Sequence, residues 1–353
     1  MAEPKLVPGT LYIDRDRDFR TGEWGPYVKI GIVRNQKEAS ARNKEHQTGN
    51  PRKIHILHEL AAPMVENLET RLHHWFAEHW VHGEWFLMDD EFVEEHVLPA
   101  ALSIIEAQNQ SVVSFETKAS LANLASDGIV RVATKEEAAL AEEYALAKTR
   151  FERSAAAKEL LRSDLLDAMG EVNGVEGVIQ LQHKVTAGTF DKTAFKKAHP
   201  EIFNRFVSDV VSEPKGTLSP KSGLPLSKVD EALNAANSAA KKRASSLALS
   251  LLDEPSGIHT EAVKGAHLAY VQSLREASEA EFDMHRLKAR MAVAVGTGEG
   301  IENVVTWKRE AKTSQKFDAE AFKMAHTELH DSFMKSSKES IVPKVSMCRP
   351  YPL

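Results

Sequence analysis

The chain holds one cysteine, Cys348, in 353 residues. That excludes a multi-thiolate zinc site within one protomer. No apolar run approaches the roughly 18 residues of a membrane span, and no secretory start is visible. No HExxH is present to hold zinc on a helix, and no Walker motif is present, so ATP use is not indicated. Positive charge is also short: the net charge is −6, which argues against a broad electrostatic grip on nucleic acid. An apolar content of 42% with 27% charged residues agrees with a soluble chain, for which a cytoplasmic setting without membrane contact is expected. The length implies two or three domains, each able to bury a core.

The most informative stretch that is present runs from Glu69 to Phe86, ETRLHHWFAEHWVHGEWF. Leu68, Leu72, Trp75, Phe76 and His79 recur at three- and four-residue steps and predict a helix from near Pro63 with an inward apolar stripe. Glu69 and His73 stand four apart on that helix, so both project from one face beside the stripe, where a metal could be held. The alternative for Glu69 is a solvated helix carboxylate. Four histidines crowd here, but His74 and His79 are five apart, a spacing that does not suit zinc; His74 and His82 read as surface or rim residues, and Trp85 and Phe86 as core.

Upstream, residues 9–14 (GTLYID) and 26–33 (PYVKIGIV) predict two antiparallel strands. A polar helix candidate follows from Gln36 to His46, closed by QTGNP at Gln47 to Pro51, and KIHILHEL reads as a third strand. The order is β-β-α-β-α. The Asp89, Asp90, Glu91, Glu94 and Glu95 patch opens another helix, where acids suit the N-terminal dipole. Residues 1–110 carry 12 basic and 18 acidic side chains, against 33 of each in the remainder. Arg34, Lys37, Arg42, Lys44, Arg52 and Lys53 cluster after the second strand as candidate phosphate contacts.

This order, together with GTLYI, VKIG, Arg42 followed by HQTGNP, the Glu69–His73 pair and VHGEWF, resembles the GIY-YIG nuclease superfamily, and more narrowly its phage-type DNA-binding branch, over residues 8–88. The resemblance implies a Mg2+-dependent (or Mn2+-dependent) endonuclease acting on DNA. Tyr12 stands at the tyrosine of the first signature; Lys29, Ile30 and Gly31 stand where the second has Tyr-Ile-Gly. Arg42 matches the arginine of the following helix, Glu69 the metal-binding glutamate, and His73 a histidine common in the branch. The implied roles are Glu69 as sole protein anchor of the metal, Arg42 forked onto phosphate, and Tyr12 orienting or deprotonating the attacking water beside a Lys29 cation. His73 would support the metal site or relay a proton. Tyr12 read from the strand alone, without the other motifs, is more readily a packed core aromatic. Trp80 departs from the pattern, since related sequences carry arginine there and an indole cannot fork onto phosphate.

Beyond Gln108 the chain turns rich in alanine, glutamate and lysine, with helical spacing. FDKTAFKKAH at Phe190–His199 recurs as FDAEAFKMAH at Phe317–His326, an offset of 127 residues. Each unit reads as a long helix, a glycine turn, short strands and a second helix, with Asp191 and Asp318 as N-caps. The Gly296, Gly298 and Gly300 run reads as that turn and not as a phosphate loop, because the first unit has its own at Gly170 to Gly177. The expected fold class is α+β: a GIY-YIG-like domain at 1–110, a first unit at 120–211, a Pro/Gly-rich linker at 212–227, and a helix with Lys241, Lys242 and Arg243 leading into the second unit, at 228–353. The units resemble the accessory segment of YqaJ-like viral recombinase exonucleases, which implies a phage or prophage setting in recombination, repair or defence. Two alternatives stay open: a DNA-binding module without cleavage, and an assembly protein whose repeats recruit a recombination partner or form oligomers.

Overall fold

A computed structural model describes residues 3–34, 47, 51–221, 230–246 and 256–351. The architecture is α+β, an antiparallel sheet at the N-terminus followed by a mostly helical region with short strands. Strand β1 (Gly9–Arg17) is flanked antiparallel by β2 (Trp24–Arg34) and β3 (Lys53–Ala62). The turn between β1 and β2 is set by Asp18, whose carboxylate accepts from the Arg20 and Thr21 N–H groups, and by Gly22 at φ +75°. Period-two alternation puts Leu11, Ile13, Val28 and Ile30 on one face, and α1 (Val65–Trp75) covers them with Val65, Leu68 and Leu72. Tyr12, Asp14, Lys29 and Gly31 occupy the other face. The helix expected at Gln36–His46 lies outside the described residues.

After α1 come two three-residue strands, β4 (Trp80–His82) and β5 (Trp85–Leu87), which complete a sheet of order β3-β1-β2-β5-β4. Asp89 caps the next helix, its carboxylate accepting from the Phe92 N–H, so the acidic patch does open a helix. That helix continues through a π turn at Val93–Val97 into α2 (Leu98–Asn109) and then α3 (Val112–Ala122).

The duplicated region follows as β6 (Val130–Arg131), α4 (Lys135–Met169), β7 (Gly174–Val175), β8 (Ile179–Thr186), α5 (Lys192–Ala198), α6 (Pro200–Arg205), β9 (Val207–Val211), β10 (Ser219–Pro220) and α7 (Glu231–Ser245). The second unit is α8 (Glu261–Val295), β11 (Gly300–Ile301), β12 (Val305–Thr306), β13 (Thr313–Phe317), α9 (Ala319–Ala325), α10 (Thr327–Ser332) and β14 (Lys338–Val345). The two 35-residue helices each start at a threonine N-cap, Thr134 and Thr260, and stop at a glycine of positive φ, Gly170 and Gly296. They pack antiparallel: Leu165, Leu166 and Met169 share a core with Val263, while Leu140 and Tyr144 share one with Met291 and Val295.

The units exchange strands. β8 pairs with β14, β9 with β13 and β10 with β12, so each of these three pairings takes one strand from each unit. The contacts between the units are reciprocal. Asp191 N–H donates to Phe333 O and Asp318 N–H to Phe206 O, both at 2.8 Å, and Phe206 and Phe333 are equivalent positions. Phe203 stacks on Phe317 at 4.6 Å between centroids, and His330, at the position equivalent to Phe203, stacks on Phe190 at 4.9 Å. The equivalent Phe195 and Phe322 meet at 4.4 Å. A self-complementary contact of this kind is that of a twofold dimer, made here within one chain. Asp191 and Asp318 cap their helices by accepting from the N–H groups of Ala194 and Ala321. The expected linker is ordered as far as Lys221, because Lys215 and Glu310 exchange both backbone hydrogen bonds; the rest of it lies outside the described residues. Lys241, Lys242 and Arg243 lie exposed on α7, with Arg243 paired to Asp167.

Candidate functional site

The site begins with a register. Tyr12 on β1 stands opposite Gly31 on β2, and Asp14 stands opposite Lys29. Facing pairs in an antiparallel ladder lie on one side of the sheet, so these four share a face. The Tyr12 ring lies across Gly31: a Cβ there would sit 2.4 Å from the hydroxyl oxygen and 2.6 Å from the ring carbon that bears it. Gly31 is thus a close-approach residue, required by the Tyr12 ring.

Lys29 Nζ donates to the Tyr12 hydroxyl at 2.9 Å and to Glu84 Oε2 at 2.6 Å, and lies 5.1 Å from the Tyr12 ring centroid. Glu84 is brought there by β5, since Lys29 pairs with Trp85 and Ile30 N–H donates to Glu84 O. Both Tyr12 and the lysine are buried, whereas the Glu84 carboxylate reaches solvent. Glu69, half-buried on α1, is pushed up to about 7 by burial first and by the Glu84 charge second, opposed by Arg34 and Lys29. Tyr12, Lys29, Glu84 and Glu69 therefore form one electrostatic group at the meeting of β1, β2, β5 and α1. Asp14 adjoins it: burial pushes its carboxyl up to about 7 against the pull of Lys29.

His73 is buried, and its Nε2–H donates to Ile30 O at 2.9 Å while its ring packs on Trp80 and Phe86 at 4.8 and 5.1 Å between centroids. Burial holds its pKa below the usual imidazole value. With Nε2 committed to a backbone carbonyl, this side chain fixes α1 against β2, the two elements that carry Glu69 and Lys29. Arg34 is paired through Nε with Glu66 at 2.5 Å. Arg52 is held by Asp16 and Asp18 at 3.0 and 3.3 Å and donates to Glu23 O, and Lys53 stands exposed opposite Arg17. From Tyr12 to Arg17 is about 16 Å along the strand, so Arg52 and Lys53 lie at the far end of the sheet from the tyrosine. Arg42, Lys37 and Lys44 lie outside the described residues.

Several local readings change. His74 was expected at a rim but is buried, because it turns toward α8 instead of toward the sheet; burial drives its pKa down to about 4. His82 is exposed and Phe86 fully buried, as read from the sequence. Trp80, where the resemblance leads one to expect arginine, is a core residue, stacked on Phe86 and donating Nε1–H to Gly83 O at 2.6 Å. Its backbone carbonyl accepts from Arg349 N–H. Glu84 and Asp14 were missed. The signal for Glu84 was its place in VHGEWF, a motif noted as a whole without a role for its carboxylate.

Among the described residues no cluster of three or more His, Cys, Asp or Glu side chains is placed to hold a metal. Glu69 and Glu84 act on each other electrostatically, with Asp14 adjoining. No helix among the described residues is long and apolar enough to cross a membrane.

Residues 9–101 match the family model described as the T5orf172 domain, a phage-associated domain of the nuclease-related group. The match spans the five-stranded sheet, α1 and the start of α2. No curated protein and no solved structure matches the chain.

Proposed function

We propose that this chain is a Mg2+-dependent (or Mn2+-dependent) DNA endonuclease of the GIY-YIG type, acting in a phage or prophage setting. The observation that carries the reading is the Tyr12–Lys29–Glu84 chain of hydrogen bonds set beside the half-buried Glu69. The residues fit the metal. Magnesium takes one or two carboxylates and keeps its remaining positions for water and substrate phosphate, and Glu69 beside Glu84 is a pair whose mutual repulsion a divalent cation relieves. When bound, it supplies charge neutralisation on the phosphate oxygens and a lower pKa for water.

The chain's own residues do the rest. The Lys29 ammonium stabilises a phenolate at Tyr12, which accepts a proton from the attacking water as that oxygen bonds to phosphorus. The bond from phosphorus to the leaving oxygen breaks, and that oxygen takes a proton from solvent. Glu84 holds Lys29 on the tyrosine, and His73 holds α1 against β2. The resemblance assigns the phosphate fork to Arg42.

The test is incubation of the wild type and Glu69→Ala with labelled single-stranded, duplex and branched DNA in Mg2+ and in Mn2+, with products read on a denaturing gel. Cleavage that disappears in the variant is expected. Intact DNA with both proteins in both metals overturns the reading and favours a binding module without cleavage, consistent with the loss of the family arginine to a buried Trp80.

A further inference from the structure

The two ribbons made by strand exchange sort their charges by face. In the β8–β14 ribbon the facing pairs are Lys344 with Gln180, Val342 with Gln182, Ser340 with Lys184 and Lys338 with Thr186. All of these lie on one side, which therefore carries three lysines and no carboxylate. The other side carries Ile179, Leu181, Ile341 and Pro343, all buried, and the ribbon's only acid, Glu339, which pairs with His183 at 3.5 Å. The β9–β13 ribbon sorts its charges too. Lys316 faces Ser208 and Ser314 faces Val210, with Lys312 and then the Lys308–Glu310 ion pair preceding them in the same alternation, while Asp209 and the buried Phe317 take the opposite side.

Lys184, Lys338, Lys344, Lys312 and Lys316 are exposed, and among the described residues none of them enters an ion pair. Lysines that merely protect a strand edge from pairing need no such segregation, since mixed charges serve that purpose. Ribbon faces on which the lysines outnumber the acids, on a chain of net charge −6, are complementary to a polyanion. From Lys338 to Lys344 the strand rises about 20 Å, the length of about six nucleotide steps in a duplex strand.

We propose that the lysine faces of these two ribbons are a second DNA-binding surface, contacting phosphates without reading sequence. The nuclease reading enters only in the choice of DNA as the polyanion.

The test uses the full chain in EDTA, so that binding is measured without cleavage, with a labelled duplex long enough to reach both ribbons. Affinity is followed between about 50 and 200 mM salt for the wild type, Lys184→Gln/Lys338→Gln, Lys312→Gln/Lys316→Gln, the quadruple variant and Glu69→Ala. Each double variant is expected to reduce the slope of log affinity against log salt by about two, one per lost phosphate contact, and the quadruple variant by about the sum. Glu69→Ala keeps the wild-type slope. A quadruple variant with the wild-type slope overturns the proposal, as does a wild type that binds polyglutamate through these lysines and does not bind duplex. Ribbon-dependent binding with no cleavage in any metal sinks the nuclease reading alone. Cleavage with ribbon-independent binding sinks this proposal alone.

Discussion

Replacing His74 with glutamine should remove a pH dependence of stability that the structure assigns to one side chain. His74 is buried between α1 and α8, its Nδ1 makes no hydrogen bond, and burial, with lesser contributions from Lys158 and His73, drives its pKa down to about 4. In the unfolded chain the same imidazole titrates near 6.5. Below that value the unfolded state takes up a proton that the folded state refuses, so stability is fully present above about pH 6.5 and is lost as pH falls toward 4. With these two values the loss between about pH 7.5 and 4.5 is about 2.5 kcal/mol. Glu69 and Asp14, whose carboxyls are raised, act in the opposite direction, so the wild-type curve alone is a mixture. The difference between wild type and His74→Gln isolates the histidine. Urea unfolding followed by tryptophan fluorescence suits the purpose, because Trp24, Trp75, Trp80 and Trp85 lie in the N-terminal part and Trp307 alone lies outside it. Wild type should lose about 2.5 kcal/mol more than the variant over that interval. Parallel curves would refute a buried, neutral His74.

Gly31→Ala should displace the Tyr12 ring, cost about 1–3 kcal/mol by overpacking and abolish cleavage while circular dichroism stays native. Trp80→Ala should cost about 3–5 kcal/mol in urea unfolding, and Trp80→Arg should also destabilise, since the indole site is closed over His73 and Phe86. Phe195→Ala and Phe322→Ala, made at equivalent buried positions, should cost similar amounts, each about 3–5 kcal/mol, with the double variant short of the sum because the two rings touch.

Features set by local chemistry were readable before the structure. The three strands began within two residues of where their β-branched runs begin, and β1 ran on to Arg17, with β2 starting early at Trp24 to match, because the alternating Asp and Arg residues after Asp14 continue the ladder. The Asp N-caps and glycine stops of the repeats were equally local. Features that depend on a distant partner were not readable. Glu84 gains its meaning from the pairing of Lys29 with Trp85, and His74 from a helix about two hundred positions away. A repeat declares that two segments are equivalent, but it does not say whether a strand pairs within its own unit or with the other; here the exchange decides both ribbons.

The twofold relation between the units is broken by where the N-terminal sheet attaches. Near its start α8 contributes Val263 to the core beneath β8 and β14, and one helical stretch later Val271 and Leu274 to the core of α1. Eight to eleven residues separate these contacts, about 12–16 Å of helix. β14 ends at Val345, and four residues on Arg349 binds the backbone of Glu78 and Trp80. The β8–β14 ribbon is thus tied to the N-terminal domain twice, once at the Glu69 helix and once at the segment that follows it. The core that carries β12, ahead of β13, instead meets α8 near Met291, about 40 Å along the helix from Val263. Equal losses of DNA affinity from the two double lysine variants should therefore be accompanied by unequal losses of cleavage. DNA held on the β8–β14 ribbon is held by the ribbon tied to the N-terminal sheet, and DNA held only on the other is not. Single-turnover cleavage with enzyme in excess separates the two, and identical rates for the two variants would show that the ribbons do not deliver DNA to this site.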